Sequence, residues 1–407
     1  MVKRVDKKKH CAILKSMNTQ RKLKICHVIT RMIVGGAQEN TLFTVVDHAR
    51  AGHDVTLVTG PSPGREGMLL DMVKADGFRL EVFPDLVREL DPVHDFRAYR
   101  ELKKYFRREK FDIVHTHTSK AGIIGRLAAR AAGVPIVVHT VHGQAFHPYE
   151  KPWRNKLFIA AETIAAKRSD RIFAVADAMI DQCVAAGIAP RSRYQTVYSG
   201  MAMEQFLQAE PSAELRKELQ LPEGKPVIAT LARLSPQKGY EYVFPAALQV
   251  LEKRPDVQFL LIGDGPLRPE FEEKIAAAGV AENFHFAGLI SPERVPDYLK
   301  LTDMLWHLSL HEGLPRSVVQ SLACGNPAVG FRPDGTPEVV LDGVTGYCTA
   351  PENVAEVAKC TLEMLNDPER MKEMGENGRE LVREKFTHQH MANVLEEAYL
   401  DLASRLL

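Results

Sequence analysis

The chain has 407 residues, 53 Lys/Arg against 52 Asp/Glu, and 45% hydrophobic residues. This mix excludes a largely disordered chain, and the balanced charge argues against a dedicated nucleic-acid binder. No uninterrupted apolar run is long enough to span a bilayer, and the length suggests two or three domains.

The charge is uneven. Residues 1–24 hold nine Lys/Arg and one Asp, leaving 44 basic and 51 acidic residues for the remainder. This opening lacks the apolar core of a secretory signal. Residues 1–21 are expected to form a mobile basic tail, with charge that would also suit an anionic lipid surface. Met17 is an alternative start. Cys11, Cys26, Cys183, Cys324, Cys348 and Cys360 make no C-x-x-C pair and no zinc spacing. They read as reduced thiols of a cytoplasmic protein.

In chain order, KLKICHVIT (22–30) reads as the first strand. Gly35-Gly36-Ala37-Gln38 and a helical pattern follow it. HDVTLVTG (53–60) and FRLEVF (78–83) are the next strands, then a charged helix around AYRELKKYFRREK, then DIVHTHT (112–118). A helix through GIIGRLAARAAG leads to PIVVHTVHG (135–143), and RIFAVA (171–176) and YQTVYSG (194–200) extend the set. Short apolar runs alternating with helical patterns predict a parallel sheet with crossover helices. A second alternating set starts near residue 225: KPVIATLARL, VQFLLIGDG, FHFAG, MLWHLS and NPAVGF. The fold class is therefore α/β, with two doubly wound halves facing across a cleft. The expected division is 22–203, 204–385, and a last helix over 386–407 that crosses back to the first half. The halves are expected to move about a joint near residue 200.

In open α/β sheets, ligands bind beyond the carboxyl ends of the strands. Gly35 and Gly36 open a helix there, and a helix N-terminus favours an anion. The pattern is not G-x-G-x-x-G, so a nicotinamide or flavin fingerprint is absent. Arg233 and Lys238, five residues apart on one loop, suit a diphosphate. Gly263-Asp264-Gly265 permits another close backbone approach. In HEGLPRSVVQSLACGNPAV (311–329), Gly313, Leu314 and Pro315 lead into a short helix. Its N-terminus at Ser317 and Val318 offers amides to a phosphate, with Gln320 one turn further. His115, His117, His139, His142 and His147 cluster along two strands without demanding a metal. Lys120 could meet an acceptor phosphate.

Together these segments resemble the retaining glycosyltransferases of family 4, which have the GT-B fold, from about residue 22 to the C-terminus. The residues carrying the resemblance are GGAQ (35–38), HTHTSKAG (115–122), HTVHG (139–143), Arg233, Lys238, GDG (263–265), the 311–329 stretch and GTPEVV (335–340). The resemblance implies sugar transfer from a nucleoside diphosphate donor, UDP-sugar first and GDP-sugar second, to a saccharide or lipid-linked hydroxyl. It implies that Arg233 and Lys238 neutralise the diphosphate, Glu312 contacts the sugar hydroxyls, and His142 assists near the sugar. Gly36 would lie under the diphosphate, and Leu289 and Ile290 would line the base pocket. No D-x-D occurs in the first-half loops, so no metal and no other cofactor is expected. The basic residues Lys103, Lys104, Arg107 and Arg108 would suit a peripheral membrane contact. Three departures stand out: Gln320 replaces the family's second Glu, Asp334 replaces a glycine, and Ser199-Gly200-Met201-Ala202 replaces Asn-Gly-Ile-Asp. A nucleotide-sugar epimerase of the same fold, or a donor-binding subunit of weakened activity, are the competing readings.

Overall fold

The computed structural model describes residues 21–33, 35–62, 77–147, 150–236 and 238–407. The basic tail over 1–20, with Cys11 and Met17, lies outside them. Seven strands form one fully parallel sheet: β1 (Lys24–Ile29), β2 (Asp54–Thr59), β3 (Arg79–Val82), β4 (Ile113–His117), β5 (Ile136–Val141), β6 (Arg171–Ala174) and β7 (Tyr194–Thr196). Their order is β3-β2-β1-β4-β5-β6-β7. A second parallel sheet holds β8 (Val227–Leu231), β9 (Gln258–Ile262), β10 (Phe284–Gly288), β11 (Met304–His307), β12 (Ala328–Phe331) and β13 (Gly346–Thr349), in the order β10-β9-β8-β11-β12-β13. In each sheet the order of strands reverses at the centre, between β1 and β4 and between β8 and β11. These switch points open crevices at the strand ends. The edge strand β13 was not foreseen, because GYCT is too short and too close to glycine to show a period.

The strands are nearly continuous apolar runs because helices cover both faces. On one face of the first sheet, Cys26, Val28, Val114 and Val137 pack under helices 92–109 and 119–132. On the other, Ile25, Ile113, Ile136, Val138 and Phe173 meet Met391, Leu395, Tyr399 and Leu402 of the last helix, His388–Leu406. That helix begins with Thr387, whose hydroxyl accepts from the His390 amide at 3.2 Å, an N-cap that fixes where the helix starts. The chain passes between the sheets twice, and the two passages are bonded together. Met201 N–H donates to Phe386 O at 3.0 Å, and His388 N–H to Met201 O at 3.2 Å. A Cβ on Gly200 would fall 2.5 Å from the His388 Cα, so this crossing requires glycine. A further apolar cluster joins Val175, Met179 and Ile180 of the first half to Leu314, Val318 and Leu322 of the second.

Candidate functional site

A cavity of about 470 Å³ lies between the two sheets, within the ordinary range for a small-molecule site. Gly36, Ala37, His142 and Ser199 line it from the first half. Arg233, Lys238, His307, Glu312 to Ser317, and Gln320 line it from the second. The loops after β1, β5, β8 and β11 thus converge on one space.

Arg233 is exposed to the cleft, and among the described residues its guanidinium has no protein partner. Lys238 Nζ sits 2.5 Å from Glu312 Oε1. Burial pushes the Glu312 carboxyl up, but His307 and Lys238 outweigh it and hold the group below the usual carboxylate range. Asp334 fixes the Glu312 backbone by accepting its N–H at 2.8 Å. The same carboxylate meets His311 Nδ1 at 2.8 Å and Gln182 Nε2 at 2.6 Å. Burial pushes Asp334 up as well, yet the bonds from His311, the Glu312 amide and Gln182 leave it lowered. The same bond raises His311. Asp334 holds φ 51°, a left-handed conformation suited to glycine or a short polar residue. Three donors compensate for it here, so this departure from the family pattern has a structural role.

The helix Arg316–Ala323 starts at the cleft with no side-chain cap. Val318 N–H already donates to Pro315 O at 3.1 Å, and the Val318 side chain is buried in the core. The Arg316 and Ser317 amides, with no protein acceptor among the described residues, are the donors left for an anion. That corrects the reading in which Val318 served a phosphate. Arg316, not singled out from the sequence, crosses the cleft to pair with Glu39 on the helix Gly36–Arg50. A Cβ on Gly36 would come within 3.1 Å of the Arg316 Cδ. The Gln320 side chain lines the cleft with no protein partner among the described residues.

Several expected site residues act otherwise. Gly263, at φ 133°, and Gly265 allow their loop to pack on the Arg233 loop, since added Cβ atoms would meet Ala232 O at 2.1 Å and Leu234 O at 2.3 Å. They support Arg233 from behind and do not line the cavity. Gly35 likewise stands behind Gly36, outside the lining. Leu289 is 88% exposed, and Ile290 leans on the apolar cluster between the halves; neither lines the cavity. Lys120 does not reach it either, because its ammonium is 2.5 Å from Asp95 and also donates to Glu89 O. In the GTPEVV segment, Glu338 accepts from Asp177 N and Ala178 N at 2.8 and 2.9 Å. That carboxylate caps a helix of the opposite half and braces the two halves.

His142 lies at the end of β5, and burial pushes it down to about 3. Nitrogens of His27, His115 and His117 lie within 4.8 Å of one another, a spacing that raises the question of a metal. His115 and His117 have both ring nitrogens in hydrogen bonds to other side chains. The set therefore fits a hydrogen-bonded cluster better than a ligand set. Among the described residues no helix is long and apolar enough to cross a membrane.

Residues 35–200 match the family described as glycosyl transferase 4-like domain, and residues 211–381 match glycosyl transferases group 1. An Escherichia coli relative, UDP-Gal:alpha-D-GlcNAc-diphosphoundecaprenol alpha-1,3-galactosyltransferase, is 27% identical over 389 residues, covering 95% of this chain and 98% of its own. The N-acetyl-alpha-D-glucosaminyl L-malate synthase of Bacillus anthracis is 26% identical, covering 87% and 91%. The crystal structure of Anabaena HepE in complex with UDP aligns with a TM-score of 0.79 at 20% identity, covering 93% of this chain and all of that one.

Proposed function

The chain belongs to the family 4-type glycosyltransferases of the GT-B fold, and from that premise we propose that it moves a sugar from a UDP-sugar to a hydroxyl of a saccharide or lipid-linked acceptor, with retained anomeric configuration. The observation that carries this reading is one cavity lined by Arg233, whose guanidinium has no partner among the described residues, by the Lys238–Glu312 pair and by Ser317 at a helix start. Two cations and a helix terminus in one cleft suit a diphosphate, and they can stabilise negative charge as the leaving group departs. Among the described residues no second carboxylate lines the cavity, which favours front-face attack over a covalent intermediate. In that reaction the bond from the anomeric carbon to the diphosphate oxygen breaks and the bond to the acceptor oxygen forms on the same face. The acceptor proton passes to the departing phosphate. Glu312, held by Lys238 and by the Asp334 bond to its backbone, would accept from sugar hydroxyls. With its charge demand met by Arg233, Lys238 and the helix terminus, the reaction is expected to proceed without a divalent ion.

The base is proposed as uridine. The E. coli relative is named for a UDP-galactose donor, and HepE is described with UDP. The same E. coli name, with its diphosphoundecaprenol acceptor, supports a lipid-linked acceptor and work at a membrane face. The division into a first half over 22–203 and a second over 204–385 is proposed on the two separate sheets and the crossing at Met201. A donor-binding subunit of weakened activity is the second reading, favoured by Gln320 at the cleft. Slow hydrolysis of UDP-, GDP- and ADP-sugars, measured with and without EDTA, tests the proposal. UDP-sugar turnover that survives the chelator is expected. Preference for another base, or loss restored by one metal, would overturn the corresponding part.

A further inference from the structure

The central strands of the first sheet carry histidine where such strands are ordinarily aliphatic. Register explains how the rings meet. His27 on β1 pairs with His115 on β4, and His117 pairs with Thr140 on β5. Side chains two residues apart on a strand share a face. So His27, His115, His117 and Thr140 lie on one face, and His142, two residues past Thr140, continues that row beyond the strand end. His27, His115 and His117 are fully buried.

The rings are hydrogen-bonded in series. His27 Nδ1 is 3.0 Å from His117 Nε2, and His117 Nδ1 is 3.0 Å from His142 Nε2. Burial holds His27 and His117 well below the usual imidazole range, with neighbouring imidazoles adding to it, and His142 is at about 3. All three are therefore neutral near pH 7. A neutral imidazole has one N–H and one lone pair, so each ring must donate at one end and accept at the other. Only two arrangements are possible. In one, protons point from His142 toward His27, and the last N–H falls on His27 Nε2. That atom is buried and, among the described residues, has no partner, so a donor would be stranded. In the other, His27 donates to His117 and His117 donates to His142, leaving only an unused lone pair at His27 Nε2. Orphaned buried N–H groups are the rarer defect, so the second arrangement is favoured.

We propose that His27 and His117 are positioning residues that fix His142 as the Nδ1–H tautomer, so that its one proton is presented to the donor sugar in the cleft. His142 lines the cavity, and its Nδ1 has no protein partner among the described residues and is not a fully enclosed atom. In this tautomer His142 donates to a sugar or phosphate oxygen and does not act as a base from Nδ1. The neighbour His115 takes no part in the series. Its nitrogens meet Tyr399 Oη and, at 2.7 Å, Thr140 Oγ1, which locks the ring beside the chain.

The inference rests on the proposed donor site, but its primary test does not. Long-range ¹⁵N–¹H spectra of the full chain without donor distinguish Nδ1–H from Nε2–H histidines. His142 is expected as Nδ1–H; an Nε2–H signal would overturn the proposal whether or not sugar transfer is found. His117→Leu removes the donor, whereas His117→Asn places an amide N–H near the lost Nδ1. The Leu variant should give mixed tautomers at His142 and a kcat lower by about tenfold, with donor Kd nearly unchanged, as expected when an interaction matters mainly in the transition state. The Asn variant should restore both readouts. A Leu variant with wild-type tautomer and kcat, or an Asn variant as impaired as Leu, would reduce His117 to packing. If His117→Leu fails to fold, His27→Phe provides the second probe. Releasing His117 should again mix the His142 tautomers, and an unchanged His142 signal would overturn the directional chain.

Discussion

The two sides of the cleft are built differently. The second half supplies ions on loops: Arg233 is exposed and has no partner among the described residues, and Lys238 and Glu312 hold each other outside the sheet. Beneath them, Phe259, Leu261, Met304 and Trp306 form an apolar core. The first half supplies an imidazole whose fixing bonds run into the sheet interior, through His117 to His27. Its core includes buried imidazoles hydrogen-bonded to other side chains, so that removing one ring strands the polar groups it meets. On the second side, then, activity should separate from stability; on the first, the two should move together.

The sharpest break is Arg233→Ala or Lys238→Ala, each expected to lower kcat/KM by roughly 10²–10³-fold, as when a transition-state donor is lost. For Arg233→Ala the unfolding midpoint should stay unchanged, because the guanidinium has no partner to lose among the described residues. Steady-state kinetics beside calorimetry read both quantities, and near-normal turnover would remove the diphosphate assignment. Across the cleft, His142→Ala should lower kcat on the order of tenfold or more, and donor affinity less, if it acts near the reacting centre. Equal loss in both would make it a plain binding residue.

Gln320→Glu asks whether the second side can be improved without touching its core. A carboxylate accepts from both ribose hydroxyls, whereas an amide offers one acceptor oxygen. Donor binding should tighten ~5–30-fold, with kcat within about threefold, since the ribose does not react. Titration of UDP into both forms decides, and weaker binding would show a site rebuilt around the amide. On the first side, His115→Leu leaves Tyr399 and Thr140 without their shared partner and should cost about 1–3 kcal/mol in denaturant unfolding. An unchanged stability would break the contrast between the halves.

Stability against pH gives the smallest effect. His311 is raised above its ordinary 6.5 by its bond to Asp334, so its contribution is complete below 6.5 and lost as pH rises through the raised value. Asp334 and Glu312 are lowered, so theirs is present above the usual carboxylate range and lost as pH falls through the lowered values. Asp334→Asn should flatten the alkaline limb of the unfolding midpoint. His142, at about 3, should put no limb in the activity profile between pH 5 and 8.

The sequence alone determined the α/β class and the two doubly wound sheets, because buried parallel strands must read as short apolar runs between amphipathic helices. It also placed Arg233, Lys238, Glu312 and His142 on loops that follow strands, where ligands of such sheets sit, but it placed Gly263, Gly265, Leu289 and Ile290 in the site by the same signs, and these do not line the cavity. It could not assign single polar atoms. Lys120 and Arg316 are both cations in the first turn of a helix, yet only the fold pairs one with Asp95 and sends the other across to Glu39. Gly263 and Gly265 resemble ligand-binding glycines, but backbone packing against residues 232 and 234 is what requires them. The histidines are the clearest case. A period of two places His115 and His117 on one face, but which strand lies beside them is a matter of sheet order. Only the β1-β4-β5 adjacency brings His27, His117 and His142 into one hydrogen-bonded row. Local sequence sets strand periodicity; pairing between strands far apart in the chain decides which polar atoms share a proton.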